Sequence, residues 1–392
     1  MPLYNAGSAF SRLGSAAIAA GLIGLGAAPA HGQTFNVTNL VSDGSVPAVT
    51  IDPSLINPWG IASSPTGPFW VSDNNSGVST LYNGAGAKLG LTVTIAPPAG
   101  GSGATPTGQV FSGSATDFKV SGGGKTAPAR FIFDTEDGTI SGWAPSVNGT
   151  NSILAVDNSA SGAVYKGLAI GATGGANFLY AANFNSGQVE VYDGGFSLVK
   201  SFTDPGVAAG YAPFNVANLG GTLFVSFALQ NGANHDDVAG PGNGYVDAFD
   251  LNGNFLRRVV SLGGQVNSPW GLDLAPSSFG SLAGDLLVGN FGDGTISAFN
   301  PTTGVFQGQL LDSKGKVIVL NDLWALVNGN GGAGGSTNTV YFTTGVLGEA
   351  HGLFGAISAV PEPASWAFML LGVSLLGLRM RSRRPAHHTR IA

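Results

Sequence analysis

One pattern recurs through the middle of this chain about every fifty residues, a spacing that suits blades of a β-propeller and few other folds. It opens on Pro or an aromatic residue and Gly, then a short apolar strand. A second strand ends in Asp or Asn, a Gly turn follows, and a third alternating strand comes after it. The first copy is Asn57-Pro58-Trp59-Gly60-Ile61, then Phe69 to Asp73, the turn Asn74-Asn75-Ser76-Gly77, and Val78 to Tyr82. The second keeps the later part: Ala129 to Phe133, the turn Asp134 to Gly138, and Thr139 to Trp143. The third begins Tyr165-Lys166-Gly167 and turns at Asn183-Phe184-Asn185-Ser186-Gly187. The fourth begins Ala212-Pro213-Phe214 and carries a long insertion, Gln230 to Asn243. The fifth is Ser268-Pro269-Trp270-Gly271-Leu272 with the turn Asn290-Phe291-Gly292-Asp293-Gly294. The sixth opens at Asp322-Leu323-Trp324 and ends at Gly352 to Ile357.

One such unit cannot bury both of its faces alone. A closed ring of units can, and closure also removes exposed strand edges. A blade needs four strands, yet the sixth unit ends after three. Phe35 to Val41 is an unassigned strand at the other end of the domain, and it is expected to complete the last blade. The fold class is therefore all-β, a six-bladed β-propeller over residues 33–358. A β-solenoid expects shorter, more uniform repeats, and no helical period supports an α/β class.

Composition agrees. Gly is 63 of 392 residues and only 10% are charged, which by itself suggests low complexity. The 43% of apolar residues, including 23 Phe, supply a core that disordered chains lack. There is no Cys, so no disulfide, thiolate metal site or Cys nucleophile exists. Between the two ends lie 10 basic and 21 acidic residues, a net of 10 − 21 = −11. That surface repels nucleic acid and anionic lipid, and tolerates cations, neutral sugars or basic partners.

The two ends read as addresses. Residues 1–32 carry Arg12, an apolar run from Ala16 to Ala28, and small residues at Ala28-Pro29-Ala30 and Ala30-His31-Gly32, as a signal peptidase requires. In residues 359–392, Pro361-Glu362-Pro363 precedes an apolar run from Ala364 to Leu378. Arg379, Arg381, Arg383 and Arg384 then hold the cytoplasmic side. The run is short for a stable span. This end resembles the PEP-CTERM sorting signal of Gram-negative bacteria. The resemblance implies recognition by an exosortase-type enzyme, cleavage near the motif and display at the cell surface, often alongside exopolysaccharide production. Contact with the membrane is expected through this segment alone.

The repeats themselves are similar to NHL-type and lactonase-like propellers. In such a ring the second-to-third strand turns share one face. Asp73, Asn74, Asp134, Asn183, Asn185, Asn290 and Asp293 are then expected around one mouth of the channel, with Trp59, Trp270 and Trp324 starting the inner strands nearby. These oxygens could hold a hard cation such as Ca²⁺, although Asp and Asn are also what tight turns demand. No other cofactor is implied, and no metal ligand set is identified. The inward Glu, Asn and Asp set of the lactonases is not matched residue by residue. His235-Asp236-Asp237 in the insertion offers a further polar loop, and His351 reads as structural.

Other chemistries fall away. Only His235 and His351 lie outside the ends, so a three-His zinc site is excluded. No Gly-x-Ser-x-Gly elbow exists. Gly124-Lys125-Thr126 lacks the first glycine of a phosphate loop, and Gly329 to Gly334 precedes a strand where a dinucleotide site needs a helix. The expectation is a non-catalytic exported module that binds extracellular polysaccharide or an envelope protein. The alternative is a metal-dependent, lactonase-like hydrolase with its site at the channel mouth.

Overall fold

The computed structural model describes residues 33–361. The expected signal peptide, and the sorting segment from Glu362 onward with its four arginines, lie outside the described residues.

Six antiparallel sheets follow one another along the chain, each with its first strand innermost. Blade 1 is Pro58–Ser63, Phe69–Asp73, Val78–Tyr82 and Lys88–Thr94. Blade 2 is Pro106–Phe111, Phe131–Thr135, Thr139–Trp143 and Ile153–Asp157. A small hairpin, Lys119–Gly122 with Lys125–Pro128, is inserted after its first strand. The inner strands of blades 3, 4, 5 and 6 are Tyr165–Thr173, Tyr211–Leu219, Pro269–Leu274 and Leu323–Asn328. The inner strand of blade 2 carries Thr107-Gly108-Gln109 in place of the aromatic opening, which is why the repeat does not announce it.

The ring closes as the strand count demands. Thr34–Ser42 lies antiparallel to Leu353–Ala359 as the fourth strand of blade 6, with Phe35 opposite Ala359, Val37 opposite Ile357 and Ser42 opposite Leu353. Phe35 and Val41 are buried, and the Phe35 ring packs 4.6 Å from that of Phe279. Each such side chain contributes about 1.5–3 kcal/mol. His351 Nδ1 and Asp43 Oδ2, 2.6 Å apart, brace the same closure.

The core is distributed. One apolar cluster fills each junction between neighbouring blades, for example Phe224, Val246, Leu272, Leu286 and Val288 between blades 4 and 5. A further cluster of Trp59, Phe184, Phe214, Trp270 and Trp324 occupies the centre. Strand alternation produces this: each blade sends one set of side chains to each neighbour.

The inner strands approach so closely that small residues are obligatory. A side chain on Gly108 would meet the backbone nitrogen of Leu168 at 2.3 Å, and one on Gly271 the carbonyl of Trp324 at 2.7 Å. These contacts align the inner strands into a ring. Trp59, Thr107, Lys166, Phe214, Trp270 and Trp324 occupy one equivalent position. Three residues later along each strand, Ala62, Val110, Ala169, Ala217, Asp273 and Val327 occupy another.

Candidate functional site

The three tryptophans close the channel. Trp59 and Trp324 stack with ring centroids 3.4 Å apart, Trp270 meets both edge-on, and Phe291 stacks on Trp324 at 4.2 Å. Asn57, Ser268 and Asp322, which immediately precede the inner strands of blades 1, 5 and 6, all have left-handed backbones with φ of 48°, 46° and 56°. This conformation is costly for non-glycine residues. It turns the chain inward and sends each tryptophan to the axis. Trp324 Nε1 donates to Asn57 Oδ1 at 3.0 Å, and Trp270 Nε1 donates to the Lys166 carbonyl at 2.8 Å. The plug divides the channel into a front mouth, where the inner strands begin, and a rear hollow, where they end.

All six second-to-third strand connections lie on the front face. The residues expected there divide into two groups. Asp73, Asp134, Asn183 and Asn290 are buried within the blades, where they hold turns and strands. Asp73 Oδ2 accepts from Thr80 Oγ1 at 2.7 Å, and Asp134 Oδ1 accepts from Thr107 Oγ1 at 2.9 Å. Asn183 Nδ2 donates to Glu190 Oε1 at 2.8 Å, and Asn290 Oδ1 accepts the Asn267 N–H at 3.0 Å. Burial pushes the Asp73 carboxyl well above its ordinary range and that of Asp134 up to about 7, against those hydroxyl hydrogen bonds. Asn185 is half-buried, and exposed Asp293 caps its own turn through Thr295. Asn74 is the one whose side chain braces the mouth, donating to Glu136 Oε2 at 2.9 Å.

The mouth itself is a hollow of about 190 Å³ lined by Trp59, Glu136, Lys166, Asp236, Asp237, Phe291, Trp324 and Glu349. Lys166 is its centre. Its side chain is only 3% exposed, yet its ammonium is paired with Glu136 and lies 3.5 Å from Asp236 Oδ1. It also sits 5.2 Å above the Trp59 ring, a cation–π geometry. Glu349, from the blade 6 connection, accepts from Asn57 Nδ2 at 2.9 Å, while its backbone carbonyl accepts from Asn75 Nδ2 at 2.8 Å. Burial, with repulsion from Glu136 and Asp322, lifts the Glu349 carboxyl to about 7 against the Asn57 hydrogen bond and Lys166. Burial also raises Asp236, but His235 and Lys166 outweigh it and hold that carboxyl below its usual range. Burial raises the Asp237 carboxyl above its usual range.

The insertion in blade 4 therefore reaches the axis. Its His235 and Asp236, joined Nδ1 to Oδ1 at 2.7 Å, come together with Glu136. The ligand atoms of Glu136, His235 and Asp236 lie within 4.8 Å of one another, close enough for one cation. The ammonium of Lys166 already answers two of these carboxylates. Reading by residue type overlooks Glu136, Lys166 and Glu349. The available signal was position: Lys166 stands where five of the repeats carry Trp, Phe or Thr.

Comparison with known proteins adds the following. Residues 359–384 match the PEP-CTERM protein-sorting motif, which marks a chain for export and membrane-anchored sorting in Gram-negative bacteria and implies an exosortase-type processing partner. Among the described residues, no helix is long and apolar enough to cross a membrane. A streptogramin B lyase structure is similar at a TM-score of 0.47 and 12% identity, covering 84% of this chain and 98% of that one. The WD40 propeller of Doa1 is similar at 0.42 and 11%, covering 79% and 94%. Two uncharacterised proteins of Acanthamoeba polyphaga mimivirus are nearer in sequence. R648 is 31% identical over 333 residues, 83% of this chain and 80% of the relative. L690 is 32% identical over 303 residues, 75% and 78%. On this shared length and identity, the chain belongs to the family of mimivirus R648 and L690, as a propeller member that carries a PEP-CTERM sorting motif.

Proposed function

We propose that the chain is a non-catalytic binding module, displayed outside a Gram-negative cell, whose front mouth takes hydroxyl-rich groups of extracellular polysaccharide. Its parts are a signal peptide at 1–32, the propeller at 33–358 and the sorting segment at 359–392. The observation that carries the reading is convergence. Connections from four blades line one small mouth, through Glu136, Asp236 and Asp237, Phe291, and Glu349, and Asn74 and Asn75 of blade 1 brace it through Glu136 and Glu349. Carboxylate and amide acceptors, a paired ammonium and the half-exposed face of Phe291 suit vicinal hydroxyls and a sugar ring. The pairing of Lys166 with both Glu136 and Asp236 engages these groups with one another and suits binding better than proton abstraction.

The test is retention of the protein by its host's own extracellular polymer, compared with a charge-matched control protein. Wild type is expected to be retained and Glu349→Gln with Phe291→Ala to be released. Retention no better than the control overturns the reading.

A second reading is a metal-dependent hydrolase, favoured by the grouping of Glu136, His235 and Asp236. It requires Lys166 to yield its partners to a cation. Elemental analysis and a thermal shift with and without chelator decide it. A protein that holds no metal and ignores chelator removes this reading.

A further inference from the structure

Behind the tryptophan plug, the six inner strands enclose a second hollow of about 490 Å³. Ala62, Val110, Ala169, Ala217 and Val327 give it an apolar wall, and Asp273 is the sixth member of that ring. Among the described residues, no other titratable side chain lines it. Asp273 is 8% exposed, and its Oδ1 accepts the Leu274 N–H at 2.8 Å. Its Oδ2 has no hydrogen-bond partner. The Asn328 backbone of the adjoining inner strand lies near the carboxyl but does not complete a bond to that oxygen. Asn328 Oδ1 is a second acceptor without a donor, its Nδ2 being engaged by the Leu274 carbonyl at 2.8 Å.

The amide side chains of the wall are donors already in use. Gln109 Nε2 serves the Gly60 and Trp70 carbonyls, Asn215 Nδ2 that of Trp270, and Asn218 Nδ2 that of Ile170. Asn330 Nδ2 serves Ser64 and Gly67. The wall thus lacks free amide donors where a buried carboxylate oxygen waits for one. A carboxylate left unpaired in an apolar wall costs stability, and an arriving cation with N–H groups repays that cost. Size and lining match a small-molecule pocket, mostly apolar with a few polar groups, of which Asp273 is the one that carries charge. The acidic surface of the domain draws cations toward it.

We propose that this rear hollow binds an apolar molecule carrying one protonated amine, the Asp273 side chain turning its closed-off Oδ2 into the hollow to meet the ammonium while the apolar body lies along Ala62, Ala169 and Ala217. Burial alone lifts the Asp273 carboxyl to about 7. Charged neighbours do not enter. The inner strands of blades 4 and 6 and the second strand of blade 5, which flank it, carry no charged side chain. Tyr211, at the far end of the blade 4 strand, is the only titratable group among them.

The test is equilibrium dialysis of the full chain in nanodiscs against phenylbutylamine, with phenylbutanol and phenylbutanoate as matched probes. Asp273→Asn in the same preparation subtracts partition into lipid. Wild type is expected to retain the amine at least about tenfold more tightly than the alcohol or the acid. Retention of the amine should rise between about pH 6 and about pH 8, as the carboxyl ionises while the amine stays charged. Asp273→Asn should reduce the amine to the level of the alcohol, and Ala217→Leu, which fills the hollow, should exclude all three. Equal retention of the amine by wild type and Asp273→Asn overturns the proposal, as does amine retention by Ala217→Leu or none by wild type. The Ala217→Leu result stands even where Asp273→Asn does not fold.

Discussion

The two ends of the channel are built from the same six strands and yet are chemical opposites. At the front ring the set is Trp59, Thr107, Lys166, Phe214, Trp270 and Trp324; at the rear ring it is Ala62, Val110, Ala169, Ala217, Asp273 and Val327. Each ring has one charged member. Lys166 is met by Glu136 and Asp236 from two connections and lies over an aromatic face. Asp273 has no such partner. The front ring receives Glu136 and Asp236 from the second-to-third strand connections of blades 2 and 4, whereas the rear connections that reach the hollow bring it Ser64, Pro65 and Asn330 and no charged side chain. A propeller thus decides what a buried charge does by which side chains its connections carry to the axis.

The sharpest way to break the distinction is to remove the partition. Trp324→Ala deletes the ring that stacks on Trp59 and Phe291 and should cost about 3–5 kcal/mol in denaturant unfolding, while joining the two hollows. A variant as stable as wild type would mean the plug is not a core.

Next in size is the charge at the front. Lys166→Met should cost about 3 kcal/mol at neutral pH, because it leaves Glu136 and Asp236 facing one another without the ammonium. Denaturant unfolding measures it, and the loss should shrink as pH falls and Asp236 protonates.

The rear charge should behave in the opposite sense. Its carboxyl is raised from 3.8 to about 7 by burial. Between those values the folded protein keeps a proton that the unfolded chain has released, so stability falls as pH rises through the window and is level above it. Asp273→Asn should remove part of that slope and leave the protein at pH 8 equal to or more stable than wild type, by on the order of 2 kcal/mol. A loss of stability instead would show that the ionised carboxyl is held by a partner.

The smallest effect separates the causes of two similar values. Glu349 and Asp273 are both raised to about 7, but neighbouring charges act only on Glu349. Added salt should move the Glu349 midpoint down and leave that of Asp273 in place, as followed by carboxyl-carbon NMR. Equal movement would place an unrecognised charge beside Asp273.

Much of the architecture was legible in the chain. The repeat spacing, the missing fourth strand of the last blade and the unassigned strand near the start led to a ring closed by Thr34–Ser42, because strand count and edge protection are arithmetic constraints. The inner strand of blade 2 escaped notice because Thr107-Gly108-Gln109 lacks the aromatic opening. The seven Asp and Asn residues of the turns stood out by type, but turn chemistry draws four of them, Asp73, Asp134, Asn183 and Asn290, inward to hold backbone and hydroxyl groups.

By itself, then, the sequence determined the number of blades, the closing strand, the face that gathers the connections and the sorting address at the C-terminus, since each depends on local spacing and residue type. The tertiary structure alone decided which charges meet. Glu136, Lys166, Asp236 and Glu349 come from four different blades, and Asp273 is unusual only beside the five residues that share its ring. Such groupings arise from closure, which brings residues more than a hundred positions apart to one axis, and no local rule of the chain records them.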